Sequence, residues 1–156
     1  MLQYPARIAI IIPFFQRKMG ILNRAILTVF SQKLREPVTV FIIDDGSPVK
    51  ARDEIHELHP PLHMEIRVIE QANAGPACAR NTGIAAAKSY HIIAFLDSDD
   101  EWTMDHLLRG VFAIDQGFDI YCSDWCSHDI TQTGLQSRNL PKQNLQNYSD
   151  IQNSFV

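Results

Sequence analysis

The sequence predicts an α/β protein whose core is an open, mostly parallel sheet with helices on both faces. Short runs of β-branched residues alternate along the chain with segments whose apolar residues recur at helical spacing. Two of these runs end in clusters of acidic residues, and the carboxyl ends of parallel strands are where such sheets bind ligands. With 156 residues, 46% of them hydrophobic, the chain is long enough to form a folded core.

The first half of the chain predicts three strands and two helices. Residues 7–13 (RIAIIIP) and 38–43 (VTVFII) are short and almost wholly apolar, which is typical of strands buried on both faces. Residues 19–34 place their apolar side chains on one face of a helix. A polar helix over 49–59 is stopped by two prolines, and residues 64–69 then alternate apolar and charged side chains as an edge strand would.

The second half continues the alternation. Residues 75–88 are rich in alanine and favour a helix, and residues 91–96 form a fourth apolar strand. The pattern then predicts a helix over 104–116 and a fifth strand over 118–122. The β-α-β-α order therefore indicates parallel strands joined by helical crossovers.

Composition and charge narrow the classes of partner. A formal net charge of -4 argues against a protein that binds nucleic acid by neutralising phosphates.

Three cysteines are an odd and sparse set for a disulfide-stabilised secreted scaffold, which favours free thiols in a reducing compartment. No apolar run approaches the roughly 20 residues that span a bilayer. We therefore expect a cytoplasmic protein without a transmembrane segment, which could also bind peripherally at the inner face of the membrane.

Acidic clusters follow the second and fourth predicted strands. Asp44 and Asp45 close the second, and Asp97-Ser98-Asp99-Asp100 follows the fourth. Because the carboxyl ends of parallel strands meet at one edge of the sheet, both clusters can face one crevice. Carboxylates this close repel one another, and hard divalent cations such as Mg²⁺ or Mn²⁺ are the ions that oxygen ligands of this kind prefer. A turn with a helix N-cap remains an alternative interpretation of the first cluster.

Four motifs together resemble a known family. They occur in the order IAIIIPFFQR, FIIDDGSP, NAGPACARNTG and AFLDSDDEW, over about residues 8–124. In this order and spacing they are similar to the N-terminal, donor-binding half of the family 2 glycosyltransferases, which have a GT-A-type, Rossmann-like fold. The DxD signature of that family would be Asp97-Ser98-Asp99.

The resemblance implies a role for each matching residue. Pro13 and Phe14 would lie against the base of a nucleotide-sugar donor, and Asp45 would accept the N3–H of a uracil. Asp97 would contact the ribose hydroxyls, and Arg80 would add positive charge near the base or the phosphates. Asp99 would bind a Mg²⁺ or Mn²⁺ ion that bridges the diphosphate. The implied reaction is transfer of a sugar, with inversion, from a UDP-sugar to a saccharide or a lipid-linked acceptor.

The residue that acts as the catalytic base is not identified by the sequence. Family members carry a further Asp or Glu for this role, and Asp124, Asp129 and Asp150 lack the context that would single one out. We therefore expect residues 1–124 to form the nucleotide-sugar-binding domain, and residues 125–156 to begin an acceptor-binding part that is truncated.

Other classes of function share part of this pattern. A nucleotide-sugar-binding module without catalysis would share every donor motif. A receiver-type phosphoacceptor domain fits less well, because it places its Asp pair after the first strand and a lysine after the last. Cys122, Cys126 and His128 could form a soft-metal site, although no second Cys pair completes it. Trp102 could stack on a sugar ring or anchor a helix against the sheet.

Overall fold

The structure is a computed structural model, and it describes residues 6–124 and residue 126. Residues up to Leu107 form one compact unit, and the described residues from Leu108 onward belong to a second. The elements, in chain order, are β1 (Ile8–Phe14), α1 (Ile21–Phe30), β2 (Val38–Asp45), α2 (Ala51–Ile55), β3 (Met64–Gln71), α3 (Pro76–Ala86), β4 (Ile92–Phe95) and α4 (His106–Asp115). The division between the units falls within α4.

The four strands form one sheet in the order β3-β2-β1-β4, and every neighbouring pair is parallel. This confirms the predicted open parallel sheet and places β3 at an edge, as its alternating pattern indicated. The chain moves outward from β1 through β2 to β3 and then returns to the other side of β1 to form β4. The direction of the crossovers therefore reverses between β1 and β4, where open α/β sheets bind ligands outside the carboxyl ends of the strands.

Burial on both faces explains why β1 and β2 are almost wholly apolar. Successive residues of a strand point to opposite faces, and every residue of both strands is buried. On one face, an apolar cluster joins the strands to α3 and consists of Ala9, Ile11, Phe41, Ile43, Ala79 and Ala87. Gly83 permits the close approach of α3, because a Cβ atom there would clash with the side chain of Ile11. The alternate residues of β1 and β2 are buried on the opposite face.

Pro13 lies near the end of a central strand without breaking the sheet. In β1, alternate residues direct their main-chain groups to the same neighbour, and the Ile11 carbonyl accepts a hydrogen bond from Leu96 N–H on the β4 side. The pairing with β4 ends where Ile11 meets Phe95, so Pro13 has no hydrogen bond of the ladder to lose there. Because β4 ends at Phe95, the last three residues of β1 have no described strand beside them on this side.

One predicted strand does not form, and one predicted helix is much shorter. Residues 118–122 pair with no strand in the described part of the chain, so the prediction of a fifth strand was wrong. A strand exists only through pairing with a neighbour, and five residues with an internal Asp119 do not determine such pairing locally. The polar helix expected over 49–59 is reduced to α2, because a turn ends it ahead of the two prolines. In the described residues, no helix is both long and apolar enough to cross a membrane.

Candidate functional site

A cavity of about 430 Å³ opens at the carboxyl ends of β1, β2 and β4, within the unit that ends at Leu107. This volume lies within the range of small-molecule sites. The cavity is lined by Pro13, Phe14, Phe15, Asp45, Asn73, Gly75, Pro76, Ala79, Arg80, Asp97, Ser98 and Asp99. The structure thus brings together all six residues to which the sequence assigned contact with a donor.

Asp44 and Asp45 have different environments. Asp44 accepts hydrogen bonds from Ser47 N–H, over 2.8 Å, and from Ala51 N–H, over 3.1 Å. Ser47 belongs to the turn after β2, and Ala51 is the first residue of α2. The interpretation as a turn and helix cap therefore applies to Asp44, whereas Asp45 faces the cavity.

The Asp45 carboxylate is held by three donors. Oδ1 accepts hydrogen bonds from Gln71 Nε2, over 2.7 Å, and from Ala74 N–H, over 2.9 Å. Oδ2 accepts one from Gly75 N–H, over 2.8 Å. Burial raises the pKa of the Asp45 carboxyl, but these three donors outweigh burial and hold the pKa below its ordinary value. Asp45 is therefore an anion at neutral pH and presents only acceptor atoms.

Gly75 takes a backbone conformation that other residues rarely adopt. Its φ of +89° lies in the region that favours glycine, and it immediately precedes Pro76, the first residue of α3. This conformation allows the N–H groups before the helix to converge on Asp45. Gly75, the first of the two glycines in the NAGPACARNTG motif, thus forms part of one wall of the cavity.

Three residues around Asp45 were not singled out from the sequence. Asn73 donates from Nδ2 to the main-chain oxygen of Asp45 over 2.9 Å and also lines the cavity. Gln71 donates to the Asp45 carboxylate, and the Thr82 hydroxyl donates to Gln71 Oε1 over 2.6 Å. Only the placement of Gln71 beside Asp45, as register partners on β3 and β2, could have indicated this contact, and that register was not known from the sequence.

Arg80 and Asp97 form an ion pair at the cavity. Arg80 projects from α3, and its NH2 donates a hydrogen bond to Asp97 Oδ1. The side chains remain 35% and 46% exposed, respectively, so both can still contact a ligand. The ion pair fixes the direction of the Asp97 carboxylate and partly offsets the negative charge of the acidic cluster.

The remaining carboxylates of the cluster are Asp99 and Asp100. Asp99 is exposed and lines the cavity, and no hydrogen bond to its side chain is found among the described residues. Partial burial and the nearby charges of Asp99 and Asp97 raise the pKa of the Asp100 carboxyl. The repulsion expected from the sequence is therefore present.

The donor set fits a cation that is held mainly by a ligand. In the described part of the chain, no three His, Cys, Asp or Glu side chains are grouped so as to hold a metal ion. Mg²⁺ commonly binds through one or two carboxylates together with substrate phosphates and water. Asp99 offers such a carboxylate at the cavity wall, whereas Asp97 is engaged by Arg80.

Hydrogen bonds also connect the loops that follow β1, β2 and β4. Gln16 N–H donates to Ser47 Oγ over 2.8 Å, and the Ser47 hydroxyl donates back to the Gln16 carbonyl over 3.0 Å. The Gln16 side-chain amide donates to Ser98 Oγ over 3.1 Å. Ser98, the middle residue of the DSD sequence, is buried. It thus anchors the acidic loop while Asp97 and Asp99 on either side face the cavity.

The structure gives the environment of some of the weaker candidates, which are Trp102, the suggested Cys/His metal site and the possible catalytic bases. The Trp102 ring stacks on the His106 ring with centroids 4.3 Å apart, which favours the interpretation that it anchors a helix. Cys122 and Cys126 are exposed free thiols, and their suggested partner His128 lies outside the described residues. Asp124 is exposed, whereas Asp129 and Asp150 also lie outside the described residues.

Comparison with proteins of known sequence relates the chain to sugar-transferring enzymes. It is 43% identical over 123 residues to the succinoglycan biosynthesis protein ExoW of Rhizobium meliloti, a match that spans 78% of this chain and 38% of ExoW. An uncharacterized glycosyltransferase of Nostoc sp. is 38% identical over 99 residues, which cover 64% of this chain and 30% of that protein. The chain thus spans well under half the length of both relatives.

Solved structures share the fold at lower sequence identity. TarS of S. aureus, in complex with UDP-GlcNAc, matches 70% of this chain and 31% of its own, with a TM-score of 0.58 and 20% identity. The mannosyltransferase PcManGT of Pyrobaculum calidifontis, in complex with GDP-Man and Mn²⁺, matches 70% of this chain and 32% of its own, with a TM-score of 0.60 and 23% identity. The predicted GT-A fold is therefore confirmed.

The family itself follows from the extent of one match. The sequence profile described as Glycosyl transferase family 2 matches residues 9–155, which is nearly the whole chain. The resemblance drawn from the four motifs is thereby confirmed, and the chain belongs to glycosyl transferase family 2.

Proposed function

We propose that the cavity binds a nucleotide-diphosphate sugar, with UDP as the nucleotide, and that the enzyme transfers its sugar with inversion to a saccharide or lipid-linked acceptor. The observation that carries the proposal is that Asp45, Arg80, Asp97 and Asp99, which come from three separate segments of the chain, line one cavity with Pro13 and Phe14. The cavity lies where the crossovers of the sheet reverse, which is the usual position of a nucleotide in this class of fold.

Each wall suits a different part of the donor. Pro13 and Phe14 offer an apolar surface and main-chain groups to the base, and the Asp45 carboxylate accepts the N3–H of uracil. Asp97, held in direction by Arg80, accepts hydrogen bonds from the ribose hydroxyls. Arg80 also contributes positive charge at the cavity wall, near the base or the phosphates. These roles order the donor along the cavity, with the base at Asp45 and the diphosphate towards Asp99.

Asp99 is the proposed ligand of Mg²⁺ or Mn²⁺. A divalent cation at this carboxylate would offset negative charge on the departing diphosphate. Asp99 itself contributes an exposed anionic oxygen at the cavity wall, and Ser98 keeps the loop that carries it in place through Gln16. The structure of PcManGT with GDP-Man and Mn²⁺ supports the choice of a nucleotide sugar and a divalent cation.

The acceptor is proposed from the relatives. ExoW is described as a succinoglycan biosynthesis protein, which supports a saccharide acceptor for this chain. We assign donor binding to residues 1–124 and propose that residues 125–156 belong to the part that binds the acceptor.

Calorimetry of the 156-residue chain with UDP tests the donor site. We expect UDP to bind in the presence of Mn²⁺ and to bind much more weakly when a chelator replaces the metal, because the diphosphate would then face the acidic cluster without a cation. Absence of binding by UDP, GDP and dTDP alike would contradict the proposal. Equal affinity with Mn²⁺ and with chelator would remove the metal role from Asp99.

A further inference from the structure

One of the three groups that orient the Asp45 carboxylate is a side chain. Two of the three donors to its carboxylate are the backbone N–H groups of Ala74 and Gly75. The third donor is the side-chain amide of Gln71, the last residue of β3. Gln71 is therefore the donor that a substitution can remove without straining the main chain around Asp45.

Thr82 holds the Gln71 amide in the orientation that turns its NH₂ group towards Asp45. The Thr82 hydroxyl donates to Gln71 Oε1 over 2.6 Å, so the amide oxygen is turned towards Thr82 and the NH₂ group towards the carboxylate. The reverse orientation would place the amide oxygen against a carboxylate oxygen, and two acceptors have no proton to share. Thr82 on α3 and Gln71 on β3 thus form a relay behind Asp45.

The relay helps to keep Asp45 as a hydrogen-bond acceptor towards the cavity. An ionised carboxylate offers about four acceptor positions and no donor. Three of these positions are occupied by Gln71, Ala74 and Gly75, so what remains for a ligand is an acceptor. Uracil and guanine carry a ring N–H at their pairing edge and match this acceptor. Cytosine presents a ring nitrogen that is itself an acceptor, and would leave two lone pairs facing each other.

We propose that Gln71 and Thr82 are positioning residues that set the base selectivity of the cavity by holding Asp45 as a hydrogen-bond acceptor. Among the described residues, neither belongs to the cavity lining, so they act through Asp45 and not by contact with the ligand. This inference rests on the proposed function, since it takes the cavity to bind the base of a nucleoside diphosphate.

A matched pair of variants at Thr82 tests the relay. Thr82→Val removes the hydroxyl and keeps the shape of the side chain, whereas Thr82→Ser keeps the hydroxyl. The dissociation constants of UDP and CDP are measured by calorimetry with Mn²⁺, and inorganic pyrophosphate with Mn²⁺ serves as a probe that has no base. We expect wild type to prefer UDP, Thr82→Val to reduce the UDP-to-CDP preference by about 5- to 10-fold, and Thr82→Ser to retain it. Pyrophosphate affinity should be the same in all three proteins.

Gln71→Glu provides an independent variant, because Gln71 lies on an edge strand where a substitution is less disruptive to folding. The variant replaces the amide donor with a second carboxylate, so Asp45 loses one of the donors that hold it and gains a repelling neighbour, and the UDP-to-CDP preference should fall. An unchanged preference in either Thr82→Val or Gln71→Glu, with pyrophosphate bound as in wild type, would overturn the relay and leave the donor site standing. A wild-type chain that binds no nucleotide would contradict the proposed function itself, and the relay with it.

Discussion

Asp44 and Asp45 are adjacent in the sequence, but their carboxylates serve different parts of the protein. Asp44 accepts backbone N–H groups from the turn after β2 and from the start of α2, whereas Asp45 accepts N–H groups that precede α3 and lines the cavity. Side chains of successive strand residues point to opposite faces, so the end of β2 directs one carboxylate to each side of the sheet. Asp44 therefore stabilises the turn and α2, whereas Asp45 lies at the cavity, where we propose that it binds the base.

Substitution of Asp44 should lower stability without changing the cavity. Asp44→Ala removes a buried acceptor and leaves the N–H groups of Ser47 and Ala51 without a partner, so we expect the free energy of unfolding to fall by about 1–3 kcal/mol. The exposed Asp53 of α2 offers a control with the same change of charge. Urea unfolding of both variants measures the effect, and a loss no larger for Asp44→Ala than for Asp53→Ala would refute it.

Substitution of Asp45 should weaken recognition of the base. Asp45→Ala removes the acceptor proposed for uracil N3–H, so the donor of the base is left unpaired, and UDP affinity should fall by about 5- to 150-fold. Pyrophosphate with Mn²⁺ should bind as in wild type, since it does not reach this wall. If calorimetry gives the same relative affinities for UDP, CDP and GDP as wild type, then Asp45 only shapes the turn.

The same carboxylate should make stability depend on pH in acid. The folded-state pKa of Asp45 lies below its ordinary value of 3.8, so folding favours the ionised form. This contribution is present above the ordinary pKa and is lost as the pH falls below it and through the folded-state pKa. Asp45→Asn cannot ionise, so its deficit in unfolding free energy relative to wild type should be largest at pH 7 and smaller at about pH 3. A deficit that stays constant across this range in urea titrations would contradict the prediction.

Two variants distinguish the metal role proposed for Asp99 from the overall charge of its loop. Asp99→Asn and Asp100→Asn remove the same charge from neighbouring positions, but only Asp99 lines the cavity. We expect Asp99→Asn to lower the Mn²⁺-dependent part of UDP binding by about tenfold or more, since an amide is a poorer ligand for a hard cation. Asp100→Asn should change it much less. Equal losses in the two variants would mean that overall charge, and not ligation by Asp99, controls binding.

The sequence predicts the sheet well because burial determines it locally. The apolar runs of β1 and β2 are buried on both faces, and such runs have few alternative structures. Residues 118–122 look similar but pair with no strand in the described part of the chain, and pairing is not encoded within a short segment. The predicted helix ends are also imprecise. The first helix was expected from residue 19, but α1 begins at Ile21, after Gly20, whose φ is +87°.

The sequence predicts the site residues that follow a strand within a motif. It does not predict contacts between residues that are far apart in the chain. The positions of Asp45 and Asp99 follow from the strands that precede them. The contact of Thr82 with Gln71 joins residues from α3 and β3, and it depends on how closely α3 packs on the sheet. The distance between α3 and the sheet is set partly by the contact of Gly83 with Ile11, and no local sequence pattern indicates that contact.

A crystal structure of the chain with UDP and Mn²⁺, with anomalous data for manganese, tests the central claim most directly. The account predicts UDP in the cavity at the ends of β1, β2 and β4, with uracil N3 about 2.7–3.2 Å from an oxygen of Asp45. It also predicts an anomalous peak that joins the diphosphate to the Asp99 carboxylate. UDP bound outside this cavity, or manganese bound to the diphosphate without Asp99, would contradict the account.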